Sequence, residues 1–178
     1  MADFLASGKP PIYIGFGSMA NRDPEKNTQM MIDALVHSGE RGLLSTGWGG
    51  LQSRSLPDTI FKLESCPHSW LFPRMKAIVH HGGAGTTAAA FRAGRPQIVV
   101  PFFADQPFWG KLINQLGVGV KPLPNKTITV ESLTSAIEQV ASKPEIQQKA
   151  MDSGQAIRAE DGVSNAVKII KKIIATEF

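Results

Sequence analysis

The run AIVHHGGAGTT at residues 77–87 constrains this chain more than any other stretch. Four residues, Ala77 to His80, read as a buried strand ending in a histidine. Gly82, Gly83 and Gly85 then break regular structure and let backbone approach a ligand closely. Thr86, Thr87 and an alanine stretch open a helix, expected over about Gly85 to Ala93. A strand, a glycine turn and a helix start in so few residues form the first half of a βαβ unit. A second strand, Gln97 to Val100, follows at once.

The same alternation runs through the chain. Ile12 to Phe16 is an apolar run bounded by Pro and Gly, hence a strand. Asp23-Pro24 is a cap and first-turn pair opening a helix to about His37, with Met30, Met31, Ala34 and Leu35 as its expected buried stripe. Strands are expected at Gly42–Ser45 and Ile60–Leu63, with a loop at 47–50 between them and a short strand near Gly119-Val120. Helices are expected over 105–116, 131–141, 144–158 and 162–175. The fold class is therefore α/β, a Rossmann-like parallel sheet flanked by helices. Such sheets bind ligands beyond the carboxyl ends of their strands, and Ser18, Thr46, His81 and Phe102 each follow a strand end.

Length and composition narrow the class. The chain has 178 residues, 42% hydrophobic and 19% charged, which suits one folded domain with its own core. Residues 1–10 are expected to be a linker and 11–178 the domain. The single cysteine, Cys66, forbids an internal disulfide and fits a reducing compartment, so a cytoplasmic location is expected. The net charge of +4 suits an anionic ligand or surface, and no nucleic-acid partner is expected. The tail, Val163 to Ile174 with Lys168, Lys171 and Lys172, reads as a basic amphipathic helix. It is expected to pack on its own domain, with peripheral membrane contact as the alternative.

The chemistry gathers on the rim. Side chains alternate at a strand end, so His80 and His81 should point different ways, one into the interior and one toward the cleft. The free N–H groups and positive end of the helix after Gly83 suit a phosphate, with Thr86 and Thr87 as further donors. Asp105 and Gln106 lie one strand further on. Asp accepts hydrogen bonds and Gln both donates and accepts, which suits the adjacent hydroxyls of a sugar. The pattern reads as a nucleotide-sugar site.

From His68 to Gly110 the chain reads HSWLFPRMKAIVHHGGAGTTAAAFRAGRPQIVVPFFADQPFWG. This resembles the donor-binding signature of UDP-dependent family-1 glycosyltransferases of GT-B fold, and most of all the sterol 3-β-glucosyltransferase type. The likeness extends back to Pro11–Met19. It implies that Cys66 and His68 contact the uridine, and that His81, Gly83, Ala84, Gly85 and Thr86 hold the diphosphate, Ala84 through its backbone alone. Ser18 falls in a turn beside the phosphates, and Asp105 and Gln106 at the sugar. Where the wider plant family has a ribose-binding Glu, this chain has Ala89. The resemblance implies an inverting, metal-independent transfer of glucose from UDP-glucose to a sterol or similar lipid alcohol, with no cofactor. It also implies an N-terminal acceptor domain, absent from this chain, that supplies the base.

Other readings stay open at this level. Gly15-x-Gly17-x-x-Ala20 after a strand also fits a dinucleotide fingerprint, although no acid follows the second strand. A macrolide- or antibiotic-type glycosyltransferase shares HHGGAGT. A nucleotide-binding module without transfer activity is the alternative outside enzymes. Zinc ligation by His68, His80 and His81 lacks a completing acid or Cys set.

Overall fold

The structure is a computed structural model that describes residues 1–16, 24–45 and 56–177. Ser18, the Asp23 cap, Thr46 and the loop at 47–50 lie outside the described residues. Among the described residues five strands form one sheet: β1 (Ile12–Gly15), β2 (Gly42–Ser45), β3 (Ile60–Leu63), β4 (Ala77–His80) and β5 (Gln97–Val99). All pairings are parallel and the order is β3-β2-β1-β4-β5. The chain moves outward from β1 in one direction and then crosses to its other side for β4. The crevice beyond β1 and β4 is therefore the switch point where such sheets hold ligands.

Period-two alternation sends each strand's side chains to two different cores. Ile12 and Ile14 point to the face covered by α2 (Pro24–His37) and α6 (Val130–Ser142), where Leu35, Leu133 and Ile137 pack. Tyr13, Leu43 and Ile78 point to the opposite face. That face is covered by α3 (His68–Leu71), the 3-10 turn Phe72–Arg74 and α4 (Ala84–Ala93). A third cluster joins Val99 of β5 to Ile113 of α5 (Gln106–Gln115) and Ala150 of α7 (Pro144–Ala159).

Among the described residues most of the expected elements form, with five differences. β5 ends at Val99, and the expected strand near Gly119-Val120 is an isolated bridge between Gln97 and Gly119. On α2 the buried residues are Ile32, Ala34 and Leu35, while Met30 and Met31 are half-buried. Within residues 1–10, expected to be a linker, Ala2–Ala6 form a short helix, α1. Its Phe4 ring packs 5.4 Å from that of Phe61, and the Arg41 guanidinium lies 4.1 Å above it while bonding the Phe4 and Lys9 carbonyls.

The largest difference is the tail. Helix α8 (Gly162–Glu177) forms as expected but does not pack on its domain: residues 162–175 are all exposed, including Val163, Ile170 and Ile174. The physical reason lies in the layers. Both sheet faces are already covered by other helices, so neither is open to this one. No helix among the described residues is long and apolar enough to cross a membrane.

Candidate functional site

The β4–α4 turn separates the two histidines as the strand end dictates. His80 is fully buried. Its Nδ1 accepts the Gly82 N–H at 3.1 Å, so Nε2 carries the proton and donates to Gln97 Oε1 at 2.9 Å. Burial pushes its pKa down to about 3, and the ring is neutral in the folded protein at any ordinary pH. His81 is half-buried at the mouth of the turn. Its pKa is also lowered by burial, and the negative charge of Asp105 acts in the other direction. The two residues therefore sit within electrostatic reach across the rim. The His81 Nδ1 is buried with no hydrogen-bond partner among the described residues.

Glycine is required at Gly82, and at Gly83 it leaves room for a side chain. Gly82 has φ 92°, and a Cβ on it would meet Val99 Cγ1 at 2.7 Å and the Gln106 carbonyl oxygen at 3.1 Å. A Cβ on Gly83 would strike His81 Nε2, so the imidazole lies folded against the Gly83 backbone. Gly83 is the N-cap of α4 and has no side chain to cap it. Helix α4 thus begins at Ala84 with its first-turn N–H groups uncapped by any side chain among the described residues, beside exposed Ala84 and Gly85 and half-buried Thr86. Thr87 departs from expectation. It faces the interior at 1% exposure, so only Thr86 of the pair adds a hydroxyl to the rim.

The β5–α5 loop is built from side chains instead. Gln106 is 5% exposed, and its Oε1 accepts the N–H groups of Phe102 at 2.7 Å and Phe103 at 3.2 Å. That bond pair holds a tight turn in which Ala104 has φ 56°, a conformation costing an alanine about 1 kcal/mol. The oxygen end of the Gln106 amide is thus spent on the loop. Asp105 emerges from the turn fully on the surface, and its Oδ2 accepts the Trp109 indole N–H at 2.8 Å. Phe103 and Phe108 are exposed beside it, with Phe108 edge-on to Trp109 at 5.3 Å.

Cys66 and His68 stand on the β1 side of α4. His68 opens α3, with its ring stacked on Phe72 at 4.3 Å and edge-on to Tyr13 at 6.0 Å. Burial lowers its pKa. Cys66 is half-buried and its Sγ lies 3.9 Å from the Pro67 carbonyl. Phe72 is core, whereas Trp70 is exposed under the Arg74 guanidinium. Tyr13 escaped the sequence reading because strand alternation marks it as core, which it is. Yet its hydroxyl bonds Ser45 and reaches over Gly15 at the strand's carboxyl end. Ala89, in place of the Glu, lines an open cleft of about 390 Å³ with Ser69, Pro73, Arg92 and Arg158. Among the described residues no three metal-ligating side chains gather closely enough to hold an ion.

The turn, the helix start and Asp105 thus share one rim at the switch point, with Cys66 and His68 flanking it. A family model for the erythromycin biosynthesis protein CIII-like C-terminal domain matches residues 49–173. The chain belongs to that family, the C-terminal domains of family-1 GT-B glycosyltransferases. It is 44% identical to the sterol 3-beta-glucosyltransferase UGT80A2 of Arabidopsis thaliana over 173 residues, 97% of this chain and 27% of that protein. Identity to the sterol 3-beta-glucosyltransferase of Komagataella phaffii is 38%, over 92% of this chain and 14% of that one. The chain therefore spans about a quarter or less of these relatives. Among solved structures, spinosyn forosaminyltransferase SpnP superposes with a TM-score of 0.83 at 21% identity, over 98% of this chain and 47% of that chain. Os79 from O. sativa, in complex with UDP and deoxynivalenol-3-glucoside, gives 0.81 at 18% identity, over 96% and 44%. At these identities the two structures establish the shared fold.

Proposed function

We propose that this chain is the donor-binding half of a UDP-glucose-dependent glucosyltransferase that acts on a sterol or similar lipid alcohol. The observation that carries the reading is the uncapped start of α4, with His81 over it and Thr86 and Asp105 on the same rim. An uncapped helix start presents roughly half a positive charge and several N–H donors, which is what a diphosphate requires. His81 is held neutral by burial and still has one N–H to give. In this reading Gly83, Ala84 and Gly85 offer backbone, Thr86 its hydroxyl, and Ser18 lies in the neighbouring turn. Cys66 and His68 flank the uracil. Asp105 accepts from sugar hydroxyls, while Gln106, next to it at the sugar in this reading, holds the loop. The identity of 38–44% to sterol 3-beta-glucosyltransferases over nearly the whole chain supports the sterol-type reading above the antibiotic-type one.

The chemistry assigned to these residues is charge stabilisation. When an acceptor oxygen attacks the anomeric carbon from the face opposite UDP, negative charge builds on the departing diphosphate. The α4 start and His81 are already oriented to meet it and need not reorganise. The acceptor's base has no match among this chain's motif residues, so donor binding is its assigned share. Calorimetric titration with UDP tests the reading. His81→Ala and Thr86→Ala should each weaken binding by about 1–3 kcal/mol, since each removes a hydrogen bond to a charged oxygen. Unchanged affinity in both folded variants would remove the phosphate site from this turn.

A further inference from the structure

We propose that Trp109 is a positioning residue for sugar recognition, acting through Asp105. The inference rests on the donor-site reading above. Asp105 occupies the N-cap of α5, where an acid usually turns back to accept the helix's own N–H groups. Here it makes no such bond. Its Oδ2 instead takes the indole N–H of Trp109, one helical turn along and on the same face. The carboxylate is thereby held along the helix by a side chain and makes no capping bond to the first-turn N–H groups. Among the described residues its other oxygen has no protein donor.

The rest of the loop serves the same direction. Gln106 fixes the Phe102 and Phe103 N–H groups, and Ala104 accepts a left-handed turn to bring Asp105 to the surface. The Trp109 ring also walls an open cleft of about 210 Å³ with Ala84 and Thr87 at the head of α4. One side chain thus faces a cleft shared with the helix that would hold the diphosphate and bonds the acid that would hold the sugar. An exposed carboxylate with two free oxygens rotates about its own bond and meets hydroxyls in many orientations. With one oxygen held, the other is offered in one direction, and the hydroxyl pattern of the hexose is read against it.

A buried or half-buried indole N–H seeks some partner in any case, so the test must separate a positioning role from a packing one. The quantity measured is the ratio of UDP-glucose to UDP affinity, by calorimetry on the 178-residue chain. In Trp109→Phe, UDP should bind within about twofold of the parent while UDP-glucose weakens by about tenfold. In an Asp105→Ala background, the same Trp109 substitution should change the ratio no further, because its effect passes through the missing carboxylate. Equal losses for both ligands, an unchanged ratio, or additive effects in the double variant would overturn the positioning role and leave the donor site standing. Failure of the parent chain to bind either ligand would instead overturn the donor reading and this inference with it. The parent also carries a test that needs no substitution. The Trp109 indole N–H resonance should move on adding UDP-glucose and stay in place with UDP alone; no movement with either bound ligand would contradict the proposal.

Discussion

The two turns that meet on the rim are built by opposite means. The β4–α4 turn is made of backbone: Gly82, which tolerates no Cβ, Gly83 under the His81 ring, and a helix start that no side chain among the described residues caps. Its polar groups are left open. The β5–α5 loop is made of side chains bonded to its own chain, Gln106 to two N–H groups and Asp105 to Trp109. The difference suits two kinds of ligand group. A diphosphate carries charge on several oxygens and is well served by a cluster of N–H donors. A hexose differs from its isomers only in hydroxyl direction, so its reader must be a side chain held at a fixed angle. The two histidines repeat the lesson at a smaller scale. His80 has both ring nitrogens bonded inside the protein, while His81, the next residue, has a buried nitrogen with no partner among the described residues.

The largest expected effect breaks the backbone turn. Gly82→Ala combines left-handed strain of about 1–2 kcal/mol with overpacking against Val99 of about 1–3 kcal/mol. Chemical denaturation should show the sum, and a loss under 1 kcal/mol would mean the turn can yield. Next comes the pH dependence set by His80. Its folded pKa lies below its unfolded value near 6.5, so between about pH 6.5 and pH 3 the unfolded chain binds a proton that the folded one refuses. Stability is full above that window and falls with pH inside it, by about 1.4 kcal/mol per unit from this group. His80→Gln keeps a donor toward Gln97 and should flatten the slope between pH 6 and pH 4, read from denaturation midpoints. An unchanged slope would place the acid sensitivity elsewhere.

Gln106→Ala should follow at about 1–3 kcal/mol of stability, because two N–H groups lose their acceptor. Asp105→Ala, on the exposed side of the same loop, should change stability by no more than about 0.5 kcal/mol. If the adjacent pair gave equal stability losses, the division between loop-builder and ligand-reader would fail.

The contrast between the turns also explains what the sequence could reveal. Gly82 before the helix start is readable because its conformational need is written in the residue type. Strand ends, the parallel sheet and the flanking helices were legible for the same reason, through apolar period and punctuation. The packing of α8 was not. Its amphipathic face says that a partner is wanted and nothing about where it sits, and the sheet's two faces were already covered by α2, α6, α3 and α4. Likewise Asp105-Gln106 reads as an acid-amide pair. Only the fold shows that the amide oxygen turns inward to Phe102 and Phe103, and that Trp109 takes the acid. Thr86 and Thr87 are identical in sequence terms, and helix phase alone separates rim from core.

The central claim is that the diphosphate belongs to one turn and the sugar to the other. The most direct measurement is calorimetric titration of UDP and UDP-glucose into the parent chain, Thr86→Ala and Asp105→Ala. Thr86→Ala should weaken both ligands by the same factor, because both carry the diphosphate. Asp105→Ala should leave UDP as it was and weaken UDP-glucose alone, by about tenfold for a lost bond of ~1.4 kcal/mol. An Asp105 variant that weakened UDP as much as UDP-glucose would contradict the division.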